Sequence, residues 1–356
     1  MESLAIYPFT PEVAPLARHM HLLAYSSVVF VAPEAFGFTG IDASTSDGGP
    51  ESKSTVISDL DQAMKNCDAF YLAGTAYNLS ASGLYSLAKQ LIQMRKKLYI
   101  PNHLQAEWDD LGLSTIDSSD CHVLASAQAP VINGAGLRKV PVPVIFVAGM
   151  GEQCGKYDMQ LYVRDYFLSN GYKVSQLGTK EYSPLLGFEA LPDFVYKPMR
   201  PIDKAICFNR FVRNLVRKEK PEVVIIGVPS GIIPISEIHP EYLGELAYVM
   251  TSALRPDALI LNLYASVQDD FFFSFTDTIC RHRFSVSPSF FAMSQVQVEE
   301  KPGSSSKLSY IYKSNMQVQE IHLSNPSNVV MLHDETSRNL AFQKLVDGLS
   351  ENIAIL

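Results

Sequence analysis

A glycine loop between an apolar strand and a helix is the feature that most restricts the fold of this chain. Residues 142–148 have the pattern of a buried strand, a loop rich in glycine follows at residues 149–156, and a helical pattern continues to Ser169. This order brings backbone N–H groups, the positive end of a helix dipole and a lysine ammonium to one point, which suits a phosphate. The loop residues expected to bind phosphate are Gly149, Gly151, Glu152, Gly155 and Lys156.

The rest of the chain alternates between short apolar runs and helical patterns, which is typical of parallel sheets covered by helices. The fold class expected is therefore α/β, with a Rossmann-like parallel sheet first and a P-loop-NTPase-like unit second. The turn at residues 8–11 lacks the glycines of a dinucleotide site, so no dinucleotide cofactor is expected. The boundaries predicted are a Rossmann-like domain at 1–115, a linker at 116–141, a P-loop-like domain at 142–283 and an α+β appendage at 284–356.

Several local patterns give expectations that a structure can check. Thr10 and Pro11 predict the start of a helix that continues to about Leu23. The alternation of apolar residues at 318–323 predicts a strand in the appendage. Asp269 and Asp270 are interpreted as a solvated turn.

Composition excludes several classes of function. The formal net charge is -8 and the basic residues are scattered, so nucleic acid is not expected as a partner. The longest apolar stretch, residues 223–235, is too short for a membrane span, and the first nine residues lack a secretory signal, which favours the cytoplasm. The five cysteines and eight histidines show no metal-binding spacing, so no metal site is expected.

The spacing of the loop, a glycine, five residues and then Gly-Lys, resembles the P-loop of dethiobiotin synthetase and its relatives. The resemblance covers about residues 142–265 and continues through the strand that ends at Gly178-Thr179-Lys180. It adds Thr179 and Lys180 to the candidate nucleotide-binding residues. A Rossmann-like domain before such a loop also resembles a bacterial family that includes amino-acid racemase-type proteins.

A resemblance over nearly the whole chain is to the clostridial family of peptide maturation system proteins, which is associated with gene clusters for ribosomal peptide natural products. The matching segments are residues 6–9, 37–42, 148–156 and 239–245. This resemblance implies a role in peptide maturation in a bacterium, and it implies no catalytic residues.

One position departs from a working P-loop. A Ser or Thr hydroxyl normally follows the lysine and binds Mg²⁺, whereas this chain has Tyr157. The strand at 223–228 also ends without an acidic residue, and Glu152 is the one loop carboxylate that could replace these ligands. ATP or GTP, if bound, should therefore bind weakly and with little effect of magnesium. A structural loop or a site for another anion stays open.

The leading hypothesis is an accessory protein of peptide maturation that binds a peptide or a small phosphorylated ligand through a degenerate P-loop. One alternative is an ATP-dependent ligase or kinase that would use Lys156 on the phosphates and Glu152 or Glu237 for the cation. Another is an amino-acid racemase or isomerase, for which Glu237 and His239 are the candidate acid and base. Whether the protein is an enzyme, and whether it forms a homo-oligomer, stays open at this point.

Overall fold

The computed structural model of the protein describes residues 2–113, 116, 119–124, 129–130, 136–236, 244–300, 308–321, 323 and 328–354. The chain divides into two compact units. The first unit contains Met1–Ser126 and Lys180–Ala190, and the second contains Ala127–Thr179 and Leu191–Leu356.

The first unit is built on a five-stranded parallel sheet with the order β2-β1-β3-β4-β5. Its strands carry buried aliphatic and aromatic side chains, and Trp108 and Leu84 of the covering helices pack in the same core. Asp59 and Ser80 cap two of these helices by accepting hydrogen bonds from Gln62 N and Gly83 N. The strands are β1 (Ser3–Tyr7), β2 (Ser27–Phe30), β3 (Ala69–Leu72), β4 (Lys97–Pro101) and β5 (Cys121–Leu124), and the helices are α1 (Ala14–Arg18), α2 (Leu60–Asn66), α3 (Ala81–Gln93) and α4 (Asn102–Asp110).

The helix expected from Thr10 to Leu23 is present only as α1, with a 3₁₀ turn on each side at Pro11–Val13 and Met20–Leu22. Pro15 explains part of this difference. It has no N–H to donate to a preceding carbonyl, so it cannot continue a helix that starts at Pro11.

The second unit is built on a large sheet, whose strands within this unit have the order β14-β11-β10-β6-β9-β7. The strand pairs with a described register are parallel. Strand β6, which precedes the glycine loop, lies in the middle of the sheet between β9 and β10. The strands are β6 (Val144–Gly149), β7 (Val174–Gly178), β9 (Val223–Gly227), β10 (Ala258–Leu263), β11 (Pro288–Met293) and β14 (Val329–Met331), whereas the two-residue strand β8 (Glu189–Ala190) falls in the first unit.

Helices cover both faces of this sheet, and β6 shows the alternation that this requires. Ile145 and Val147 face a core shared with two helices, α5 (Lys156–Ser169) and α10 (Glu335–Ala354). Phe146 and its neighbours on the other face pack against three further helices. These helices are α6 (Pro201–Glu219), α7 (Glu245–Ala253) and α8 (Asp270–Phe284). The expected fold class, α/β with two parallel sheets, is confirmed.

Beyond residue 284 the chain returns to the large sheet, to which it adds β11 and β14. It also forms an antiparallel hairpin of β12 (Val296–Glu300) and β13 (Leu308–Tyr312). The strand expected at 318–323 is wrong, because residues Asn315–Gln319 form helix α9. A capping box between Ser314 and Gln317 starts this helix and outweighs the alternating pattern.

Asp269 also has a structural role. Its carboxylate accepts a hydrogen bond from Phe272 N at 2.8 Å and caps α8, so the paired acids start a helix instead of forming a free turn. Among the described helices, none has the length and hydropathy needed to cross a membrane. The described residues also contain no group of three or more His, Cys, Asp or Glu side chains suited to a metal ion.

Candidate phosphate-binding site

The glycine loop, residues 149–156, joins the carboxyl end of β6 to the first turn of α5. Gly155 is the N-cap of α5 with a φ of 75°, a left-handed conformation that glycine adopts without strain. Because Gly155 has no side chain, the N–H groups in the first turn of α5 receive no hydrogen bond from a capping side chain at this position. They lie at the positive end of the helix dipole, which favours an anion.

Close packing explains why three loop positions are glycine. A Cβ at Gly149 would lie within 3.0 Å of the Cys154 sulfur, and one at Gly155 would lie equally close to the Leu332 side chain. A Cβ at Gly151 would meet the Tyr264 hydroxyl. The loop therefore runs directly against side chains from inside the loop, from the residue after β10 and from the segment after β14.

Lys156 places a buried cation at the mouth of this loop. The residue is 8% exposed, and its Nζ donates hydrogen bonds to Gly151 O at 2.5 Å and to the carbonyl oxygen of Ser230. Ser230 follows β9 with a φ of 60°, an unusual conformation for a residue with a side chain. Among the described residues, no carboxylate forms a salt bridge with Lys156. Two neutral carbonyl groups are thus its only described partners, and an ammonium has a third N–H to donate.

The loop backbone is fixed by the two strands beside β6. On the β9 side, Ile232 N donates to Gly149 O at 3.0 Å. On the β10 side, the Asn262 amide donates to Cys154 O at 3.2 Å, and the Tyr264 hydroxyl donates to Glu152 O at 2.6 Å. The loop shape is therefore held by groups more than seventy residues away in the sequence.

The position after the lysine has no Ser or Thr, the residues whose short hydroxyl usually binds the metal ion in a P-loop. Tyr157 is 5% exposed and is packed in the interior. Burial lowers the pKa of Arg164, two turns further along α5, and electrostatic interactions with Glu219 and Tyr157 oppose this effect. Tyr157 thus belongs to the packed interface beneath α5.

An amide occupies the place where a P-loop protein would have an acidic residue. Gln160 is fully buried and lies against Gly227 at the end of β9, where any Cβ would clash with it. Its Nε2 donates to Lys156 O at 3.1 Å and, at 3.4 Å, to the Thr179 hydroxyl. Its Oε1 has no hydrogen-bond partner among the described residues. Neither Tyr157 nor Gln160 supplies the negative charge that Mg²⁺ prefers.

Cys154 is the only cysteine in the loop, and it is structural. Burial raises the pKa of its thiol, although the neighbouring Lys156 ammonium opposes this. The neutral thiol donates to Gly151 O at 3.2 Å. It therefore supports the same carbonyl group that Lys156 binds.

The structure brings together only some of the residues expected at the site. Gly149, Gly151, Gly155 and Lys156 form the loop, and Thr179 joins it through Gln160. The Glu152 side chain is exposed, and only its carbonyl group is held. Glu237 and His239 lie outside the described residues.

Lys180 belongs to the first unit, where its ammonium lies 3.5 Å from Glu12. The neighbouring Glu181 accepts hydrogen bonds from the backbone N–H of His103 at 3.3 Å and pairs with its ring at 3.1 Å. This carboxylate raises the pKa of His103.

The sequence pattern did not reveal Gln160, Ser230 or Tyr264 as parts of the site. Only Gln160 carries a usable signal, because it lies four residues after Lys156 and therefore on the same face of α5.

No family model matches the chain, and the comparison with curated proteins found no match. Among solved structures, the chain is similar to a DUF1611 family protein from Anabaena variabilis ATCC 29413. The TM-score is 0.58 at 12% identity, and the similarity covers 99% of this chain and 100% of that one. At this identity the similarity shows a shared fold over the whole chain and nothing about activity.

Two further structures are less similar. One is a nucleotide-binding protein in complex with ADP from Archaeoglobus fulgidus, with a TM-score of 0.33, 10% identity, and coverage of 56% of this chain and 86% of that one. The other is a GTPase from Pyrococcus abyssi, with a TM-score of 0.27, 16% identity, and coverage of 43% and 67%. Scores this low carry no argument, so the class of the second unit, a P-loop-like α/β fold, rests on its own sheet and loop.

Proposed function

We propose that the second unit binds a phosphate-bearing ligand, a nucleotide in the first instance, through residues 149–156 and without a catalytic magnesium ion. The observation that carries this proposal is the buried ammonium of Lys156, which has only two carbonyl groups as described partners. Removing an ammonium from water costs several kcal/mol. Two charge-assisted hydrogen bonds return about 1.5–3 kcal/mol each. A bound anion at the same point would supply the missing countercharge.

Two described positions that lack the usual metal ligand, residues 157 and 160, give the proposal its second part. Tyr157 replaces the usual hydroxyl, and Gln160 stands where a carboxylate would lie beside the end of β9. A phosphate ligand would then be held by Lys156 and the N–H groups at the start of α5. Binding of this kind needs no Mg²⁺ and leaves the phosphate chain intact.

Calorimetric titration with ATP and GTP, with and without Mg²⁺, tests this proposal. In Lys156→Met the affinity should fall at least about tenfold, because a hydrogen bond from a charged donor contributes about 1.5–3 kcal/mol. Lys204→Met is the matched control, because Lys204 is also a buried lysine of the second unit, 3.8 Å from Glu245 and outside the loop. The control should bind as the unaltered protein does.

Equal affinities of the two variants would refute the assignment of Lys156 to the ligand. Tight binding that requires Mg²⁺, with ATP turnover lost in Lys156→Met, would instead support a ligase or kinase. The wider role in bacterial peptide maturation rests on the sequence resemblance and stays a prediction. Titration of the unaltered protein with a ribosomal precursor peptide of the kind associated with that family would test it.

A further inference from the structure

A cavity of about 1140 Å³ in the second unit is lined by basic side chains and, among its described lining residues, by no acidic one. The basic residues are Arg138, Lys139, Arg210, Arg213, Arg217 and Lys220. This concentration stands out in a chain in which 37 acidic residues outnumber 29 basic ones.

The cavity lies at the amino ends of the strands, whereas the glycine loop lies at their carboxyl ends. Its wall includes Pro141 and Val142, just before β6, and Pro221, just before β9. The loop follows the carboxyl end of β6. A strand rises about 3.3 Å per residue, so the seven residues from Val142 to Gly149 separate the two places by about 20 Å. The cavity is therefore a separate site.

The fold holds two basic segments together at this cavity. Arg210, Arg213 and Arg217 are spaced by three and four residues on α6, which puts them on one face of the helix. The segment with Arg138 is fixed to the same helix by Asn209, which is almost fully buried. Its Nδ2 donates to Arg138 O at 2.9 Å, and its Oδ1 accepts from Arg138 N at 3.2 Å.

Four of the six cavity cations have no ionic partner among the described residues. No described carboxylate pairs with Arg138, Lys139, Arg213 or Lys220, and the guanidinium of Arg217 donates to the Asn214 amide at 2.6 Å. Basic residues near the end of a helix interact favourably with its dipole, which accounts for Arg217 and Lys220. The dipole does not account for Arg138 and Lys139, which come from another segment.

We propose that this cavity binds a small polyanion that carries at least two phosphate groups. The guanidinium group matches phosphate with two parallel hydrogen bonds, and four of the six cations are arginines. The three arginines of α6 extend over about 10 Å of helix, which is longer than a single phosphate needs. The concave shape favours a small molecule over a long nucleic acid, which requires an extended basic face.

Calorimetric titration with inorganic tripolyphosphate tests this proposal in a Lys156→Met background, so that the glycine loop does not contribute. Adding Arg213→Gln and Arg217→Gln should weaken binding at least about tenfold, since two charge-assisted contacts are lost. The matched control removes two exposed cations outside the cavity, with Lys218→Gln and Arg255→Gln. It should change the affinity by less than about twofold. Tripolyphosphate should also raise the midpoint of thermal unfolding in the background and the control.

Absence of tripolyphosphate binding, or equal weakening in the cavity variant and its control, would overturn the proposal. Tighter binding of a hexaglutamate peptide or of an oligonucleotide would also overturn it, in favour of a docking surface for that class of partner. If circular dichroism shows that the double variant is unfolded, the two single variants are titrated in its place. Because every protein in this experiment carries Lys156→Met, the result can be interpreted even if the glycine loop proves not to bind nucleotides.

Discussion

The contact between Gly151 and Tyr264 gives a quantitative test of how the glycine loop is held. Gly151 has no left-handed backbone, so an alanine could adopt its conformation. The new methyl group would instead clash with the Tyr264 hydroxyl and lie 3.1 Å from the Ile235 side chain. Overpacking of this kind costs about 1–3 kcal/mol, and the reduced freedom of the unfolded chain offsets about 0.4–1 kcal/mol of it.

The partner change, Tyr264→Phe, removes the hydroxyl and its hydrogen bond to Glu152 O. A single hydrogen bond contributes about 1 kcal/mol, and water can replace it because Glu152 is exposed. If the two changes acted independently, the double variant would lose about 2–3 kcal/mol of its free energy of unfolding. Because the hydroxyl is the group that clashes, we expect the double variant to lose only about 1 kcal/mol, which corresponds to a coupling energy of about 1–2 kcal/mol between the two positions.

Urea unfolding followed by circular dichroism measures the free energy of unfolding for the four proteins of this cycle. Gly348→Ala in α10 is the control, because a Cβ there meets nothing within 4 Å. It should stabilise the protein by about 0.5–1 kcal/mol. If the loss in the double variant equals the sum of the losses in the two single variants to within about 0.5 kcal/mol, the inferred clash is refuted. ATP affinity should follow the same order if the loop shape controls binding.

Further predictions concern single groups. Tyr157→Thr should make ATP binding more magnesium-dependent, at a cost of about 3 kcal/mol because the ring is buried; unchanged magnesium dependence in calorimetry would contradict it. Glu181→Gln should lower the pKa of His103 in an NMR titration. The ion pair of His103 and Glu181 stabilises the first unit fully at pH values below the usual histidine pKa of about 6.5. This contribution is lost as the pH rises through the raised pKa of His103, and it is under about 1 kcal/mol because both side chains are partly exposed. Burial raises the pKa of all five free thiols, that of Cys280 to about 12, but only Cys121 is partly exposed, so Cys121 should react first with a thiol reagent. Limited proteolysis should cut first between residues 115 and 141, and earlier cuts elsewhere would contradict the proposed linker.

Much of the local structure could be predicted because its signals are local. The expected helix from Lys156 to Ser169 has the bounds observed for α5, since the glycine before it and the Asn-Gly after it end the helical pattern. Local signals also gave a wrong prediction, namely the strand expected at residues 318–323. There a capping box competes with an apolar alternation, and the sequence does not show which one prevails.

The partners of Lys156 could not be predicted in the same way. Ser230 O becomes its acceptor only because β9 lies beside β6 and because the backbone at Ser230 adopts a positive φ. A residue with a side chain gives no sign of that conformation in the sequence. The same holds for Tyr264, which follows β10 and reaches the loop from the other side.

Sequence alone determined that this chain has a glycine loop with a lysine and lacks the hydroxyl after it, because both are statements about neighbouring residues. The tertiary structure alone decided that the ammonium of Lys156 is buried between two carbonyl groups and that Arg138 meets the arginines of α6. Both depend on the order of strands and helices in the second unit. That order follows from the packing of many apolar side chains over long distances in sequence, which no local pattern encodes.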